Sequence, residues 1–337
     1  MAKRGARLED LAQLANVSIA TVSRALNDSP AVNEETKRRI WRIAREQNYA
    51  FRPHMPAMLS GATSTVSVVI PTPQGRKGDL ADPFFLELIG GVGEAAREAG
   101  SDICISHLAP RDFHDLTELM ASSRAEGVIF LGQSFLHERF NRLAETDARF
   151  VVWGAALPGQ RYCSVGSDNI KGGRRATLHL ARLGRKRIAF FGDTEAPEVL
   201  QRYRGYLDAM EEAGLEATDD LLAPVHFEVE SAEAAVEQMI AQDTPLDGIV
   251  AASDLIALGA VRGLMKHGVG VPEDVSVVGY DDIFPSRYAR PALTTIAQDM
   301  VKAGRLLVSK LKSAMAGRDI PSERLPTDLI VRESCGA

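Results

Sequence analysis

The sequence has few cysteine and aromatic residues and no long apolar run. Three of its 337 residues are cysteine, and phenylalanine, tyrosine and tryptophan together make up 6%. Cys104, Cys163 and Cys335 lie far apart without the spacing of zinc ligands, which predicts reduced thiols in the cytoplasm and no disulfide framework. No run approaches the roughly 18 apolar residues of a membrane helix, and the basic N-terminus lacks the apolar core of a secretory signal.

The motifs of common enzymes are also missing. The sequence contains no G-x-S-x-G, H-E-x-x-H or Walker loop, and its seven histidines are scattered. The stretch "GVGEAA", Gly91 to Ala96, has the form of a dinucleotide fingerprint, but it lies well inside a helical pattern instead of directly after a strand. We interpret its glycines as sites of close helix packing. We therefore expect no catalytic residues, no cofactor and no metal.

Charge is distributed unevenly along the chain. The net charge is −6, yet residues 1–60 hold ten Lys/Arg against six Asp/Glu, a local charge of +4. The remaining residues hold 29 against 39, a charge of −10. A basic head on an acidic body indicates that any nucleic-acid contact is confined to the head.

Residues 1–50 carry three short amphipathic helical patterns. The first ends at Asn16, a residue type that tolerates the left-handed conformation of a helix end. Ser18 is placed to cap a second helix, whose Val22 and Leu26 share one face. The third begins near Glu34 and continues to Tyr49. Two short helices joined by a tight turn and braced by a third predict a helix-turn-helix domain over 1–50.

The second helix has a polar face opposite its apolar one. In "NVSIATVSRALN", Asn16 to Asn27, this face carries Ile19, Ala20, Ser23, Arg24 and Asn27. It could be a solvated surface of no special role. However, no Asp or Glu occurs from Val17 through Asn27, and a helix that enters a DNA groove needs small hydrogen-bonding groups and no carboxylates. The pattern favours DNA reading.

Residues 51–64 have the Pro, Gly and small polar residues of a linker. Beyond Val66, β-rich runs alternate with amphipathic helices, which predicts parallel sheets covered by helices. About 270 residues of this pattern predict two similar lobes with a cleft between them. The predicted strands are "VSVVI", "DICIS", "GVIFL", "RFVVW", "RIAFF", "DGIVAA" and "DVSVVGY", and the helices include Phe84–Ala99, Lys171–Leu183, Tyr203–Ala213 and Leu255–His267.

Paired carboxylates end the last of these strands. The stretch "GYDD", Gly279 to Asp282, is equally consistent with a turn or helix cap and with a hydrogen-bond acceptor for a ligand. The second interpretation follows from the position, because open α/β sheets bind ligands at the carboxyl ends of their strands.

Eight motifs in order resemble the LacI/GalR family of bacterial transcription repressors, nearly end to end. They are "LEDLAQLANVSIATVSRALN", "PFFLELIGGV", "HLARLGRKRIAFFG", "RYRGYLDAM", "SDLIALGA", "GVPEDVSVVGYDD", "RPALTTI" and "LIVRES". The resemblance implies an all-α helix-turn-helix headpiece and a two-lobed, periplasmic-binding-protein-like α/β effector domain over 65–337. Its N-lobe would span about 65–158 and 293–318, and its C-lobe about 159–292 and 319–337.

The resemblance also implies a homodimer on a pseudo-palindromic operator. Ile19 and Ala20 match the positions that vary operator choice, and they would read apolar features such as thymine methyls. The linker would form a hinge helix that inserts Met58 or Leu59 into the minor groove, although Pro53 and Pro56 depart from the family pattern. The full set of implied DNA contacts is Ser18, Ile19, Ala20, Thr21, Ser23, Arg24, Asn27, Thr36, Tyr49, Met58 and Leu59.

The implied effector is a mono- or disaccharide held between the lobes. Aromatic faces would stack on the sugar, while Asp and Arg would pair with its hydroxyls. Arg202 and Asp281 could instead be a structural ion pair, and Phe84 and Phe85 could be plain core. The implied set is Asp82, Phe84, Phe85, Trp153, Arg202, Phe227, Ser253, Asp281 and Gln298.

Three functions are consistent with these features. The first is a cytoplasmic repressor whose operator affinity shifts when a sugar changes the population of two lobe arrangements. The second is a periplasmic-type sugar receptor, which the missing signal peptide and the basic head disfavour. The third is a cytoplasmic α/β enzyme with a regulatory head, which the missing catalytic motifs disfavour. The sequence leaves the sugar, the operator and the choice between induction and corepression open.

Overall fold

The computed structural model describes residues 8–26, 29, 31–47, 64–71, 81–108, 113–122, 126–133 and 136–337. The chain divides into two units, Met1–Thr63 and Ser64–Ala337. We call the first the head and the second the body.

The described residues of the head form three helices: α1 at Leu8–Ala15, α2 at Ile19–Leu26 and α3 at Glu34–Glu46. Asn16 has a φ of 49°, the left-handed turn expected between α1 and α2. The Oγ atom of Ser18 accepts a hydrogen bond from the Thr21 N–H at 3.1 Å, so Ser18 caps α2 as its sequence position predicts. The apolar faces meet in a small core that includes Leu11, Ala15, Val22, Leu26, Ile40 and Ala44.

Where the structure describes the body, it contains two six-stranded sheets. The strands of the first are β1 (Ser64–Pro71), β2 (Ser101–Leu108), β3 (Gly127–Leu131), β4 (Phe150–Trp153), β5 (Ser164–Ser167) and β11 (Glu323–Leu325). They lie in the order β11-β5-β4-β3-β1-β2, and every neighbouring pair is parallel. The helices of this lobe are α4 (Pro83–Glu98), α5 (Phe113–Ser122), α6 (His137–Thr146) and α11 (Met300–Met315).

The second sheet repeats this plan. Its strands are β6 (Ile188–Phe191), β7 (Leu222–Ala223), β8 (Gly248–Ala251), β9 (Ser276–Asp281), β10 (Thr294–Ala297) and β12 (Asp328–Ile330). They lie in the order β12-β10-β9-β8-β6-β7, and only β12 runs antiparallel to its neighbour within this described sheet. The helices are α7 (Asn169–Arg182), α8 (Pro197–Glu212), α9 (Val229–Ala241) and α10 (Asp254–Lys266).

Parallel strands covered by helices on both faces explain the continuous apolar runs in the sequence. All residues of β3, β4, β6, β8 and β9 are buried, so their sequences do not alternate between apolar and polar residues. The predicted α/β architecture with parallel sheets is therefore confirmed.

The chain passes between the lobes three times, and this corrects the predicted lobe limits. β5 pairs with β4 in the first sheet, β10 pairs with β9 in the second, and β11 pairs with β5 in the first. The limits predicted near 159, 293 and 319 are therefore wrong. The crossings lie at 168, 298–299 and 326–327, because strand pairing assigns these short strands to their sheets.

The glycines of "GVGEAA" lie inside α4, where the packing interpretation is confirmed for Gly91 but not for Gly93, whose Cβ would make only an ordinary contact of 3.4 Å with the Ile103 side chain. A Cβ atom on Gly91 would lie 2.3 Å from the Met300 carbonyl oxygen, and one on Gly304 would lie 2.2 Å from the Gly91 carbonyl carbon. α4 and α11 thus approach each other through glycine, and no strand precedes the motif directly as a dinucleotide site requires.

Candidate functional site

The outer face of α2 is presented to solvent. Ile19 is 49% exposed, and Ala20 and Arg24 are also exposed, whereas Thr21 and Ser23 are half-buried. Val22, Ala25 and Leu26 turn into the head core. The first turn of α2 contains no acidic residue. This face could therefore approach a phosphate backbone without repulsion between a carboxylate and the phosphates.

Three of the predicted DNA contacts, Ser18, Thr21 and Thr36, also have partners within the head. The hydroxyl oxygens of Ser18 and Thr21 lie 2.8 Å apart. Thr36 lies in the first turn of α3, where its N–H donates to Asn33 Oδ1 at 2.8 Å. Of the predicted contacts, Asn27, Tyr49, Met58 and Leu59 lie outside the described residues, as do residues 51–63 of the predicted linker.

In the body, Arg202 on α8 is the centre of a buried polar cluster. It is 6% exposed, and its Nε donates to Asn169 Oδ1 at 2.9 Å. One terminal nitrogen donates to the carbonyl of Ala252. The guanidinium carbon lies 3.7 Å from the centroid of the Tyr280 ring, a cation–π contact. These partners fix the guanidinium in one orientation.

Asp281 ends β9 beside this arginine. Its Oδ1 lies 3.9 Å from Arg202 Nη1 and accepts a hydrogen bond of 2.6 Å from Gln298 Nε2. Burial raises the pKa of Asp281 well above its ordinary value; Arg202 opposes this, whereas the charges of Asp254 and Asp82 add to it. Asp281 has a φ of 116°, so the strand end is bent at this residue.

The two carboxylates of "GYDD" have different surroundings. Asp282 bonds to Arg287 Nη2 at 3.0 Å and also to Arg332, and it thereby holds the turn that follows β9. Asp281 points instead to Arg202 and Gln298. The turn interpretation therefore describes Asp282, whereas Asp281 accepts from Gln298 within the cluster, and its role as an acceptor for a ligand stays a prediction.

Gln298 connects this cluster to the crossings between the lobes. It lies on the crossing after β10, and its Oε1 accepts from the hydroxyl of Ser167, the last residue of β5. Its Nε2 donates to Asp281. Asp168 N–H also donates to the Leu325 carbonyl at 2.9 Å, which joins the first and third crossings.

On the first lobe, the predicted aromatic residues lie together. Asp82 caps α4 by accepting from the Phe84 N–H at 2.9 Å. The Phe84 ring lies 5.4 Å from that of Phe85 and 6.2 Å from that of Trp153, which ends β4. Phe84 and Phe85 are half-buried and pack against the core of this lobe. They have both a core face and an accessible face.

Phe227 and Ser253 lie in the second lobe. Phe227 is 42% exposed between β7 and α9, and in the described part of the chain no ring contact joins it to the aromatic residues of the first lobe. Its neighbour His226 lies 3.0 Å from Asp193, which follows β6. Ser253 is buried after β8, and its Oγ accepts from the Ile256 N–H at 3.3 Å as the cap of α10.

Three further residues belong to this cluster although the sequence did not single them out. Asn169 follows β5, a strand too short and polar to be recognised, and it accepts from Arg202. Tyr280 lies under the guanidinium, inside the "GYDD" motif. Glu198 follows Pro197 at the start of α8, and a proline followed by an acid is a helix-start signal that could have drawn attention to it.

Together these residues surround the carboxyl ends of parallel strands. Asp193, Ser253 and Asp281 follow or end β6, β8 and β9 in the second sheet, and Trp153 ends β4 in the first. Such edges are where open α/β sheets bind small molecules. Fixed hydrogen-bond acceptors at such an edge suit a ligand that has hydroxyl groups.

The described residues contain no group of three or more His, Cys, Asp or Glu side chains that could hold a metal ion. None of their helices is both long enough and apolar enough to cross a membrane.

Comparison with protein families and known proteins agrees with both units. Residues 7–51 match the family model "Bacterial regulatory proteins, lacI family", and residues 177–335 match "Periplasmic binding protein-like domain". The HTH-type transcriptional regulator CelR of Thermobifida fusca is 32% identical over 338 residues, which cover 98% of this chain and 99% of CelR. The repressor CytR of Escherichia coli K12 is 29% identical over 337 residues, 98% of this chain and 97% of CytR.

Solved structures give the same result. A transcriptional regulator CelR–cellobiose complex is 30% identical with a TM-score of 0.71, covering 98% of this chain and 99% of that one. The lac repressor dimer bound to operator and an anti-inducer is 23% identical with a TM-score of 0.72, covering 99% and 100%, and it shares the fold. These relatives are regulators of transcription and not enzymes. The chain belongs to the LacI family of HTH-type transcriptional regulators.

Proposed function

We propose that this protein is a transcriptional repressor whose operator affinity is set by a sugar bound between the two lobes of the body. The observation that carries the proposal is the chain of contacts from Arg202 through Asp281 and Gln298 to Ser167. It joins a polar cluster at the strand ends to the crossing segments. A ligand that alters these contacts would change the balance between two lobe arrangements.

The DNA-binding part of the proposal rests on the outer face of α2. Ile19, Ala20 and Arg24 are exposed there, and Arg24 can donate two hydrogen bonds to a guanine edge. Ser18, Thr21, Ser23 and Thr36 would contact phosphates or bases around this face. Because the target is chromosomal DNA, the protein would act in the cytoplasm.

A homodimer would place two heads on a pseudo-palindromic operator. Large apolar side chains are exposed on the body, among them Leu86, Phe284 and Tyr288. Phe284 N–H donates to Glu87 Oε1 at 2.7 Å, so the turn after β9 contacts α4 next to Leu86. The Phe284 and Tyr288 rings are 4.9 Å apart. An exposed apolar patch of this kind supports a contact with a second copy.

The test begins with selection of operator sequences by the purified full-length protein at a stated salt concentration. Sugars are then added to the selected complex in gel-shift titrations. A repressor of this kind selects an inverted repeat, and at least one sugar changes its affinity for that repeat. A protein that sediments as a monomer and selects no inverted repeat would rule the proposal out.

The cleft assignment is tested with Asp281→Asn, which keeps the size of the side chain and removes its charge. We expect operator affinity to stay within about twofold and the response to the sugar to weaken at least tenfold, since the loss of one charged hydrogen bond costs roughly 1.5–3 kcal/mol. Asp208→Asn, an exposed change on α8, is the control. A normal sugar response in Asp281→Asn would exclude this residue from the effector site.

A further inference from the structure

The two lobes also touch at a place away from the crossings. Glu87 lies on α4 of the first lobe and is half-buried. Its Oε1 accepts a hydrogen bond of 2.7 Å from the N–H of Phe284, which lies in the turn after β9 of the second lobe. We call this hydrogen bond the clasp. It is separate from the contacts described above for the polar cluster around Arg202.

The second-lobe end of the clasp is fixed to its own lobe. Asp254, buried at the start of α10, accepts from the Ile283 N–H at 3.0 Å and from the Ser286 hydroxyl at 2.6 Å. Phe284 lies between these two anchors, and the ion pair that Asp282 forms with an arginine of the turn braces it further. The Phe284 N–H therefore moves with the second lobe.

The first-lobe end is equally fixed. The buried face of α4, with Leu88 and Val92, packs into the core of the first lobe. Glu87 can follow the turn only as far as its side chain reaches, and a hydrogen bond weakens quickly beyond about 3.2 Å between its heavy atoms. A rearrangement of the lobes that moves the turn out of this reach breaks the clasp.

Glu87 is well placed to act on the lobe arrangement alone. An interaction that exists in one of two arrangements favours that arrangement by its own free energy. Gln201 also joins the lobes, through a bond of 3.0 Å from its Nε2 to the Ala156 carbonyl, but it is the neighbour of Arg202 in the cleft. A change at Gln201 would disturb the effector site directly, whereas a change at Glu87 would not.

Building on the proposed function, we infer that the clasp between Glu87 and Phe284 is a regulatory device of the body. It holds the two lobes in the arrangement described here and thereby sets how strongly a sugar changes operator affinity. Glu87 acts through the equilibrium between lobe arrangements and touches neither the sugar nor the operator.

The clasp itself is tested by amide hydrogen exchange at Phe284 in the full-length protein. Glu87→Ala removes the acceptor, so this amide should exchange about three- to tenfold faster. Glu94→Ala removes an exposed carboxylate of the same helix, which pairs with Arg97, and should leave the exchange unchanged. Glu87→Gln keeps an acceptor oxygen and should restore most of the protection. Unchanged exchange in Glu87→Ala overturns the inference.

The regulatory role is tested by the operator affinity without sugar and the sugar affinity of these variants. The probe is whichever of glucose, cellobiose, galactose and maltose most changes operator affinity in the unmodified protein. If this sugar favours the clasped arrangement, Glu87→Ala weakens sugar binding and moves operator affinity in the direction opposite to the sugar. If it favours the other arrangement, Glu87→Ala strengthens sugar binding and moves operator affinity in the same direction as the sugar. At least one affinity should change by about three- to tenfold.

The inference fails if neither affinity of Glu87→Ala differs from that of Glu94→Ala, or if both change in directions that break this rule. Because Phe284 belongs to the apolar patch proposed for the homodimer, sedimentation is measured for each variant. A Glu87→Ala protein that sediments as a monomer would show that Glu87 acts through the dimer contact, and it would also overturn the inference.

These outcomes separate the clasp from the repressor proposal. An unmodified protein without a sugar-responsive operator rules out the repressor proposal and the regulatory role that rests on it. The exchange measurement needs neither sugar nor operator, so it still decides whether the clasp forms. A normal sugar response in Glu87→Ala, with both affinities equal to those of the control, overturns the clasp alone.

Discussion

The two candidate binding surfaces differ in how far their polar side chains are exposed to solvent. On α2 the outer residues face solvent, with Ile19 half exposed and Arg24 exposed. In the cleft, Arg202 and Asp281 are less than one-tenth exposed, and each has several partners. Residues on the first surface are therefore available for an external partner, whereas residues in the cleft also hold the fold together.

This difference has a direct consequence for mutagenesis. An exposed side chain on α2 can be removed with little cost to folding, because it makes few internal contacts. Removal of a buried, paired side chain leaves its partners unsatisfied, and that cost appears in the stability of the body. The following predictions test the contrast.

The largest effect is expected for Arg202→Ala. The change leaves Asp281 buried without its cation and removes the hydrogen bonds to Asn169 and Ala252, so the body should lose about 3–5 kcal/mol of unfolding free energy. Arg204→Ala, an exposed arginine in the same "RYRG" motif, should change stability by less than about 0.5 kcal/mol. Urea unfolding of both variants measures the difference. Equal stabilities would show that Arg202 has no structural role.

A second buried group should make stability depend on pH. Burial raises the pKa of Asp254 to about 7, against the hydrogen bonds from Ser286, Thr295 and the Ile283 N–H. Between about pH 4 and 7 the folded state then holds a proton that the unfolded state has lost. Stability contributed by this group is present at acid pH and falls as the pH rises through this window, by a few kcal/mol in total.

Asp254→Asn should flatten this part of the stability profile, because the amide does not titrate. The exposed change Asp319→Asn should leave the slope as it is. Thermal unfolding between pH 5 and 8 provides the measurement. The same slope in Asp254→Asn and in the unmodified protein would assign the pH dependence to other groups.

Arg24→Ala tests the exposed surface on α2. If Arg24 makes a bidentate base contact, operator affinity should fall by about 1–3 kcal/mol, while the unfolding of both units stays unchanged. Arg182→Ala removes an exposed arginine from the body and serves as the charge-matched control. Gel-shift titration at fixed salt measures the change. Operator affinity equal to that of the control would show that Arg24 makes no contact with the operator.

The sequence predicted long elements well and short ones poorly. Seven strands and the helices of the head have a periodicity or an apolar run that depends only on local residues. β5, with the sequence "SVGS", and the two-residue β7 carry no such signal. They become strands because a neighbouring strand offers hydrogen-bonding partners. The misplaced lobe limits adjoin short strands of this kind, namely β5, β10 and β11.

The residues of the candidate cleft were likewise only partly predictable from local sequence. Arg202 and Asp281 were found through motifs that place charged residues at a helix face and a strand end. Asn169 has no such motif, and its importance arises from its contact with Arg202, 33 positions away along the chain. Only the folded arrangement brings these residues together.

The smallest effect, and the clearest in sign, is expected for two neighbouring glycines in α4. A Cβ on Gly91 would clash with the Met300 carbonyl, so Gly91→Ala should force α4 and α11 apart and cost about 1–3 kcal/mol. Gly90 has open space on the exposed face, so Gly90→Ala should gain up to about 1 kcal/mol, because alanine favours the helix. Urea unfolding of the two variants measures whether each substitution lowers or raises the free energy of unfolding. If both substitutions stabilise the body, close packing is not the reason for glycine at position 91.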